Sequence, residues 1–397
     1  MTNRWKAASL LLLCTACIEM KDDKAQKSDS AGNATPAVAT AADSNDISAP
    51  SYDAYALDTA GTGARYTSTP AEDSAYARIS EKSTASSVTG FPAKVPKRGA
   101  MALQLQVMLD RAHFSPGIID GVWGDNAVKA LYYYRNPTGG DSAAMPTDSA
   151  SSIDQATYQQ LKAAMGSQPI LTKYTVTAED VKGPFKSDIP DNVYEQAKLD
   201  CLCYTSAAEA LAEKFHTSQK LLAQLNPKAT LGNLTAGTSL IVPNVDVQSA
   251  DSASAGSTGT GQVARLIISR KGYWTHGVDA SGKVLYHFPS TLGAGYDPSP
   301  QGDFRVTNIA WNPAFHYQPT LFAEVSDKKP EAHLPKGPNS PVGVVWMALS
   351  KPHYGIHGTS SPETIGYANS HGCVRLTNWD ATELGHLISK GVAVQFM

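Results

Sequence analysis

The stretches YGIHGT at 354–359 and SHGCVRL at 370–376 decide the fold and the chemistry of the last third of the chain. In them His357 and Cys373 lie sixteen positions apart, and each has a glycine beside it. A thiol is mostly protonated near neutral pH, but a nearby histidine can accept its proton and a nearby cation stabilises the thiolate. The two stretches therefore favour nucleophilic catalysis, with Cys373 as the attacking group.

Neighbouring residues strengthen this interpretation, although two others stay open. Gly372 allows backbone N–H groups to approach a substrate carbonyl closely, and Arg375 can bind a carboxylate through two hydrogen bonds. Alternatively, Cys373 is a buried structural residue, because free cysteines are among the residues most often buried. The third interpretation is a zinc site formed by His357, His371 and Cys373, since zinc accepts three protein ligands and an open position.

Strands dominate the sequence before these stretches, and one helix follows them. Three strands separated by turn signals are predicted at 264–270, 273–278 and 283–288. A helix is predicted to begin at Thr377 or Asn378 and to end at Gly391. The long irregular stretch 315–341 is expected to lie over the cleft as a lid.

Together these motifs resemble a known catalytic domain. HG at 357–358 followed by SHGCVRL at 370–376, with PSPQGDF at 298–304 and GPNSPVG at 337–343, is similar to the signature of YkuD-type L,D-transpeptidases. The resemblance covers most of 262–397. It implies a β-rich domain, a β-sandwich with short helices, that uses no metal or other cofactor.

The resemblance also implies roles for the motif residues. Cys373 corresponds to the nucleophile and His357 to its base. Residues expected to form the oxyanion site or to support the nucleophile are His371, Gly372 and Gly358. Residues expected to bind substrate are Arg375, Ser370 and Tyr354.

The family's reaction defines the expected substrate and partners. The cysteine attacks a peptidoglycan stem peptide, D-Ala leaves, and the amine of a second stem peptide resolves the thioester to give a 3→3 cross-link. Carbapenems are the expected inhibitors. With water as acceptor the enzyme is an L,D-carboxypeptidase, and with a protein amine it attaches an outer-membrane protein to the wall. A non-catalytic wall-binding lipoprotein is the alternative from another class, and a zinc peptidase is the third.

A second resemblance lies at 101–166, where the text LQLQVMLDRAHFSPGIIDGVWGDNAVKAL occupies 103–131. It is similar to the small three-helix peptidoglycan-binding domain of cell-wall enzymes. Apolar residues with helical spacing begin at Leu105, a second helix is predicted from Asp125 or Asn126, and a third lies near 153–164. The resemblance implies contact with glycan strands, and the alternative is a helical spacer without a ligand.

A third resemblance lies at 170–247, which reads as strand, helix, helix and strand. ALAEKFHTSQKLLAQLNP at 210–227 and LTAGTSLIVPNV at 234–245 resemble an α+β LysM domain, which binds N-acetylglucosamine-containing glycans. Ser206 and Glu209 have the spacing of a capping box at the first helix. An insertion before that helix contains two cysteines whose redox state the sequence leaves open, Cys201 and Cys203.

The N-terminus indicates export. A basic region and a short leucine run precede CTAC at 14–17, the layout of a signal peptide over 1–17. A small residue before cysteine resembles a bacterial lipobox that would lipidate Cys17, and the alternative is cleavage near Ala16 with a soluble product. The expected location is the periplasm or cell envelope of a Gram-negative bacterium, as an outer-membrane lipoprotein. Residues 18–100 and 248–261 are predicted linkers, because they are rich in small and polar residues.

The composition excludes two classes of protein. The 397-residue chain has a formal net charge of −3, so it lacks the basic surface that nucleic-acid binding requires. No run of about 18 apolar residues is present, so no transmembrane helix is predicted. Hydrophobic residues form 42% of the chain, enough for several packed domains.

Overall fold

The computed structural model describes residues 90–138, 151–247, 263–295, 297–322 and 325–397. The signal peptide, Cys17 and nearly all of both predicted linkers lie outside these residues. Within the described parts of the chain, no helix is long and apolar enough to cross a membrane.

Three helices and a small strand pair form the first folded part. The helices are α1 (Ala100–Arg111), α2 (Asp125–Arg135) and α3 (Gln155–Met165). The strands β1 (Ala93–Lys94) and β2 (Ser152–Ile153) pair antiparallel. The predicted linker extended to residue 100, but Val95 is buried and β1 is paired, so ordered structure begins earlier than its composition indicated.

The second part has the predicted order of strand, two helices and strand. Strands β3 (Leu171–Thr175) and β4 (Ser239–Pro243) pair antiparallel. The helices are α4 (Val193–Gln196), which lies in the insertion, α5 (Ala207–Lys214) and α6 (Gln219–Leu225). Cys201 and Cys203 form a disulfide in this insertion.

The start of α5 confirms one half of the predicted capping box. The Ser206 hydroxyl accepts a hydrogen bond from the backbone N–H of Glu209 at 3.2 Å. The Glu209 carboxylate, however, accepts from the backbone and hydroxyl of Thr205 and not from the Ser206 N–H. The reciprocal bond is therefore displaced by one residue, because the Thr205 hydroxyl offers the carboxylate a second donor.

An eight-stranded mixed sheet dominates the last part. Its order is β15-β13-β12-β9-β16-β5-β6-β7, in which β13–β15 and β16–β5 are parallel pairs. The strands are β5 (Arg265–Ser269), β6 (Trp274–Val278), β7 (Val284–Pro289), β9 (Gly302–Trp311), β12 (Val345–Leu349), β13 (Gly355–His357), β15 (Val374–Arg375) and β16 (Ala393–Phe396). Two further strand pairs are β8 (Leu292–Gly293) with β14 (Asn369–Ser370), and β10 (Phe315–Tyr317) with β11 (Ala332–Leu334).

The segment that follows β7 pairs with the edge strand β15 at the other end of the sheet. Thr291, just after β7, donates its N–H to the carbonyl of Arg375 on β15, and Arg375 returns the same bond, both at 2.9 Å. Both edge strands therefore have backbone partners outside the sheet, because β15 bonds to Thr291 and His287 of β7 bonds to His113 and Ser115 of the first part, at 3.0 and 2.8 Å.

Helix α7 (Asn378–Leu387) packs against β12 and β13 behind this core. Thr377 caps it by accepting from the N–H of Asp380 at 3.1 Å, as the predicted helix start requires. The helix ends at Leu387 and not at Gly391, because Ile388 has an extended backbone and a buried side chain.

The three parts pack together and are not separated by solvent. One hydrophobic cluster contains Leu109 and Leu131 of the first part, Phe215 and Leu222 of the second, and Trp274 of the sheet. Burial of this shared apolar surface stabilises the arrangement of all three parts.

Candidate active site

Parallel pairing of two short strands brings both predicted catalytic residues to one cleft, two positions apart in the register. Strand β13 ends at His357 and β15 begins immediately after Cys373, with His357 opposite Arg375 in the register. Cys373 therefore lies beside Gly355 on the neighbouring strand. The two quoted stretches meet here because each contributes one strand to the same edge of the sheet.

These strands line a cleft of about 190 Å³ that contains the thiol. Cys373 is a free, half-buried cysteine, and its Sγ lies 3.7 Å from the carbonyl oxygen of His353. The other residues that line the cleft include most of the predicted site. They are Asp297, Phe315, His316, Leu321, Phe322, Val342, Trp346, Pro352, His353, Tyr354, His357, Ser370, His371 and Arg375.

His357 is held in one tautomer and in one orientation. Its Nδ1 is 2.7 Å from the carbonyl oxygen of Gly358 and must donate to it, because a carbonyl can only accept. The Trp346 ring stacks on the imidazole with centroids 5.2 Å apart. Nε2 is therefore the unprotonated nitrogen, which is the atom a general base needs.

The environment keeps both reacting groups neutral. Burial, with a smaller effect of the Arg375 charge, lowers the pKa of His357 to about 3. Burial raises the pKa of the Cys373 thiol to about 11, although the Gly355 N–H and Arg375 oppose the rise. Asp297, across the cleft, raises the pKa of this thiol further. The resting site is therefore a thiol beside a neutral imidazole.

The turn before Cys373 requires a glycine. Gly372 has a φ of 91°, a left-handed conformation that side chains rarely adopt. A Cβ on Gly372 would also lie 2.7 Å from Cε1 of Tyr354. The Ser370 hydroxyl donates to the Cys373 carbonyl at 2.5 Å, so this predicted substrate-binding side chain holds the turn. The sequence could not distinguish substrate binding from support of the turn, because a serine hydroxyl can do either.

The remaining predicted residues also reach the cleft. Tyr354 lines it and has the Lys351 ammonium 4.6 Å from its ring centroid. Arg375 is buried and acts electrostatically on both Cys373 and His357. Gly358 contributes its backbone carbonyl, which accepts the hydrogen bond from Nδ1 of His357.

His371 contacts the lid. Its ring meets the edge of Phe322, with centroids 4.9 Å apart. Phe322 lies in the loop between β10 and β11, so part of the irregular stretch predicted as a lid does border the cleft. His357, His371 and Cys373 line the same cleft, but in the described residues no three His, Cys, Asp or Glu side chains converge as metal ligands, as the zinc interpretation required.

Sequence reasoning missed several residues of the site. Asp297 immediately precedes the quoted PSPQGDF turn, and Trp346 lies in a strand with alternating burial, so weak local signals existed for both. Asn378 had been identified only as a helix start. The Asn378 side chain bonds to residues far away in the sequence, and no local pattern indicates such bonds.

Comparison with known proteins identifies the last part of the chain. Residues 263–395 match the family model of YkuD, the L,D-transpeptidase catalytic domain. This region is a YkuD-type L,D-transpeptidase catalytic domain. The match extends from just before β5 almost to the end of β16, so it includes the eight-stranded sheet and the cleft.

Individual relatives agree with the YkuD assignment. The protein YkuD of Bacillus licheniformis, named as an L,D-transpeptidase, is 29% identical over 186 residues, which are 47% of this chain and 90% of that protein. YkuD of Bacillus subtilis is 29% identical over 185 residues, with the same two shares. A solved L,D-transpeptidase in complex with imipenem is 18% identical over 34% of this chain and 59% of that one, with a TM-score of 0.27, too low to support an argument.

Proposed function

We propose that this protein is a cysteine-dependent L,D-transpeptidase that acts on peptidoglycan stem peptides and forms 3→3 cross-links. The observation that carries the proposal is the free Cys373 thiol in a cleft beside His357, whose Nδ1–H is committed to Gly358. This arrangement leaves Nε2 of His357 to accept the thiol proton. The YkuD assignment of 263–395 supports the same chemistry.

In the acylation step the Cys373 sulfur attacks the carbonyl at the L-centre of the third stem residue. His357 accepts the thiol proton as the carbon–sulfur bond forms, which avoids a separate thiolate in a site that disfavours one. The carbon–nitrogen bond then breaks, and His357 returns the proton to the amine of the departing D-Ala. The product is a thioester between Cys373 and the stem peptide.

In the second step the side-chain amine of another stem peptide attacks the thioester. His357 accepts a proton from this amine and returns it to the Cys373 sulfur as the thioester breaks, so the enzyme is regenerated. The backbone N–H groups at Gly372 and Cys373 are the proposed oxyanion donors. Arg375 and Tyr354 are the proposed substrate contacts, and His371 is proposed to support the turn.

The preceding parts of the chain are proposed to bring this site to the wall. Residues 101–166 are proposed as a peptidoglycan-binding domain and 170–247 as a LysM-like domain, and glycan contact raises the effective substrate concentration. Export to the periplasm, with an outer-membrane lipid anchor on Cys17, completes the proposal.

Intact-protein mass spectrometry with a carbapenem tests the nucleophile. Residues 90–397 should be used as one piece, because the sheet shares its core with the helices before it. We expect one covalent adduct per chain that Cys373→Ala abolishes. A folded, reduced protein that gains no adduct would overturn the proposal and favour a non-catalytic wall-binding protein.

Muropeptide digestion tests the acceptor. With purified tetrapeptide-containing muropeptides, we expect D-Ala release together with a cross-linked dimer. Release of D-Ala with tripeptide alone would instead identify an L,D-carboxypeptidase. Transfer of the stem only to an added protein amine would identify an enzyme that attaches proteins to the wall. Activity that a chelator abolishes and iodoacetamide does not would overturn the thiol mechanism.

A further inference from the structure

A hydrogen-bonded chain joins helix α5, outside the catalytic domain, to the catalytic histidine. At its start, both carboxylate oxygens of Glu213 accept from Nδ2 of Asn378, at 3.0 and 3.1 Å. Glu213 lies on the last turn of α5, and Asn378 is the first residue of α7. The contact spans 165 positions of sequence and crosses the junction between the second and third parts of the chain.

Four partners fix which way the Asn378 amide points, and Glu213 is the one that lies outside the catalytic domain. A carboxylate accepts only, so Nδ2 must face Glu213 and Oδ1 must face away from it. Oδ1 then accepts from two backbone N–H groups, those of Val344 at 3.2 Å and Thr359 at 3.1 Å. Nδ2 also donates to the carbonyl of Pro338 at 3.1 Å. All the donor and acceptor groups of this side chain are therefore used.

The Thr359 N–H belongs to the same peptide unit as the Gly358 carbonyl. A trans peptide is planar and its N–H and C=O point in opposite directions, so fixing one end fixes the other. Asn378 holds the N–H end, and the carbonyl end accepts from Nδ1 of His357 at 2.7 Å. The orientation of this one peptide therefore sets the orientation and the tautomer of the imidazole.

The packing around Asn378 leaves little freedom in this arrangement. A Cβ added to Gly343 would lie 2.0 Å from Asn378 Oδ1, and a Cβ added to Gly358 would lie 2.1 Å from it. Both glycines thus allow the backbone to approach the amide closely. If the amide turned over, its NH₂ group would face two N–H donors, which would leave buried polar groups without partners.

We infer that Glu213 is a positioning residue for His357, acting through Asn378 and the Gly358–Thr359 peptide. The inference rests on the proposed function, in which His357 is the base. Glu213 therefore connects the helix that precedes the catalytic domain to the reaction without touching substrate. Polarisation along the chain of hydrogen bonds strengthens each bond in it.

The surroundings of Glu213 fit this role. The Tyr204 hydroxyl donates to its Oε1 at 2.7 Å, so two donors from different loops anchor the carboxylate. The side chain borders a cavity of about 540 Å³ at the junction. Burial raises the pKa of Glu213 to about 7 and the nearby charge of Glu209 adds to the rise, whereas the Tyr204 and Asn378 hydrogen bonds and His216 oppose it.

Three variants of residues 90–397 test the inference. Two quantities are measured for each, the rate of carbapenem acylation and the tautomer of His357. The tautomer is read from long-range ¹H–¹⁵N NMR spectra of histidine-labelled protein. Glu213→Leu removes the acceptor and keeps side-chain length, and it should lower the acylation rate about tenfold and mix the tautomers. Glu213→Gln retains an acceptor oxygen and should restore the Nδ1–H tautomer and a rate within about threefold of the parent. Glu213→Ala serves as a second deletion if the leucine variant does not fold.

Glu383→Ala is the matched control. Glu383 lies on α7, the helix of Asn378, and like Glu213 it contacts another part of the chain, with its Oε1 2.6 Å from Nδ1 of His113, but no hydrogen bond joins it to Asn378 or His357 among the described residues. This variant should lower the melting temperature and leave both rate and tautomer unchanged. A folded Glu213→Leu or Glu213→Ala protein with the parent's rate and tautomer would overturn the inference. The tautomer is read without catalysis, so an unreactive parent would count against the proposed function alone.

Discussion

At the scale of single residues, the electrostatics of the cleft determine how the thiol is activated. Cys373 and His357 are both neutral at pH 7, because burial raises the pKa of the thiol and lowers that of the imidazole. An ion pair of thiolate and imidazolium would need the opposite shifts. Proton transfer from sulfur to Nε2 is therefore expected to accompany attack on the substrate.

The raised thiol pKa predicts an unusual pH dependence of alkylation. Only the thiolate reacts with iodoacetamide, and the pKa of Cys373 is about 11. In residues 90–397, where the other two cysteines form a disulfide, the rate should rise about tenfold per pH unit past pH 8.5. Mass spectrometry of the alkylated protein measures the alkylation rate of Cys373 from pH 6 to pH 10. A plateau below pH 8 would instead show a thiolate stabilised by protonated His357.

The conformation of Gly372 predicts that one added methyl group slows acylation. Gly372→Ala combines strain at a φ of 91° with a clash against Tyr354, and it should lower carbapenem acylation about 100-fold. Gly391→Ala is the control, because Gly391 has a φ of 99° and open space around its Cβ position. Both variants should lose about 1–3 kcal/mol in urea unfolding. Equal acylation rates in the two variants would contradict the role assigned to this turn.

At the scale of elements, the start of α7 links stability to the site. Thr377 is buried and caps the helix by accepting from the Asp380 N–H. Asn378 is the next residue, so fraying of this end displaces the amide that holds the Gly358–Thr359 peptide. The cap is thus expected to affect both stability and reaction rate.

Comparison of two helix caps separates these effects. Thr377→Ala should cost about 1–2 kcal/mol and also slow acylation, because the first turn of α7 holds Asn378. Ser218→Ala removes the equivalent cap of α6, where the hydroxyl accepts from the Leu221 N–H at 3.0 Å. It should cost about 1 kcal/mol without changing the rate. Urea unfolding measures the loss of stability in both variants, and carbapenem kinetics measure their acylation rates. Equal acylation rates in the two variants would contradict the link between α7 and the site.

At the scale of the whole molecule, a buried histidine pair lies between the first helices and the sheet. Nε2 of His276 is 2.9 Å from Nδ1 of His287, and the Tyr133 ring from α2 packs on both imidazoles. Burial lowers the pKa of His287 to about 3 and lowers that of His276 well below its ordinary value. The pair is therefore neutral in the folded protein.

This pair predicts loss of stability in acid. Unfolded histidines bind protons below about pH 6.5, whereas folded His287 does not bind one until about pH 3 and burial lowers the pKa of His276 well below its ordinary value, so stability falls as pH decreases below about 6.5. From pH 7 to pH 5 each histidine should cost up to about 2 kcal/mol. Glu213 and Asp380, whose pKa values burial raises to about 7 and 8, act in the opposite direction.

The matched variant isolates the contribution of the histidines. The double substitution His276→Gln and His287→Gln should lower the melting temperature at pH 7 but flatten its decrease between pH 7 and pH 5. Calorimetry of both proteins at several pH values provides the comparison. An equally steep decrease in the double variant would show that other groups cause the acid sensitivity.

The sequence by itself determined the features that depend on neighbouring residues. The strand at 273–278, the helix caps at Ser206 and Thr377, and the pairing of a glycine-flanked histidine with a cysteine all follow from local pattern and side-chain chemistry. Such features are visible because backbone preference and hydrogen-bonding capacity act over a few positions.

Only the tertiary structure decided which distant groups meet. The backbone bonds between Thr291 and Arg375, and the bonds that Asn378 donates to Glu213, join residues far apart in the sequence. Neither set of bonds leaves a local pattern in the sequence. Every residue has backbone groups like those of Thr291 and Arg375, and a glutamate on a helix surface or an asparagine at a helix start can bond to water instead. Their meaning depends on packing that brings α5 against α7, and that packing results from burial of apolar surface shared by the whole molecule.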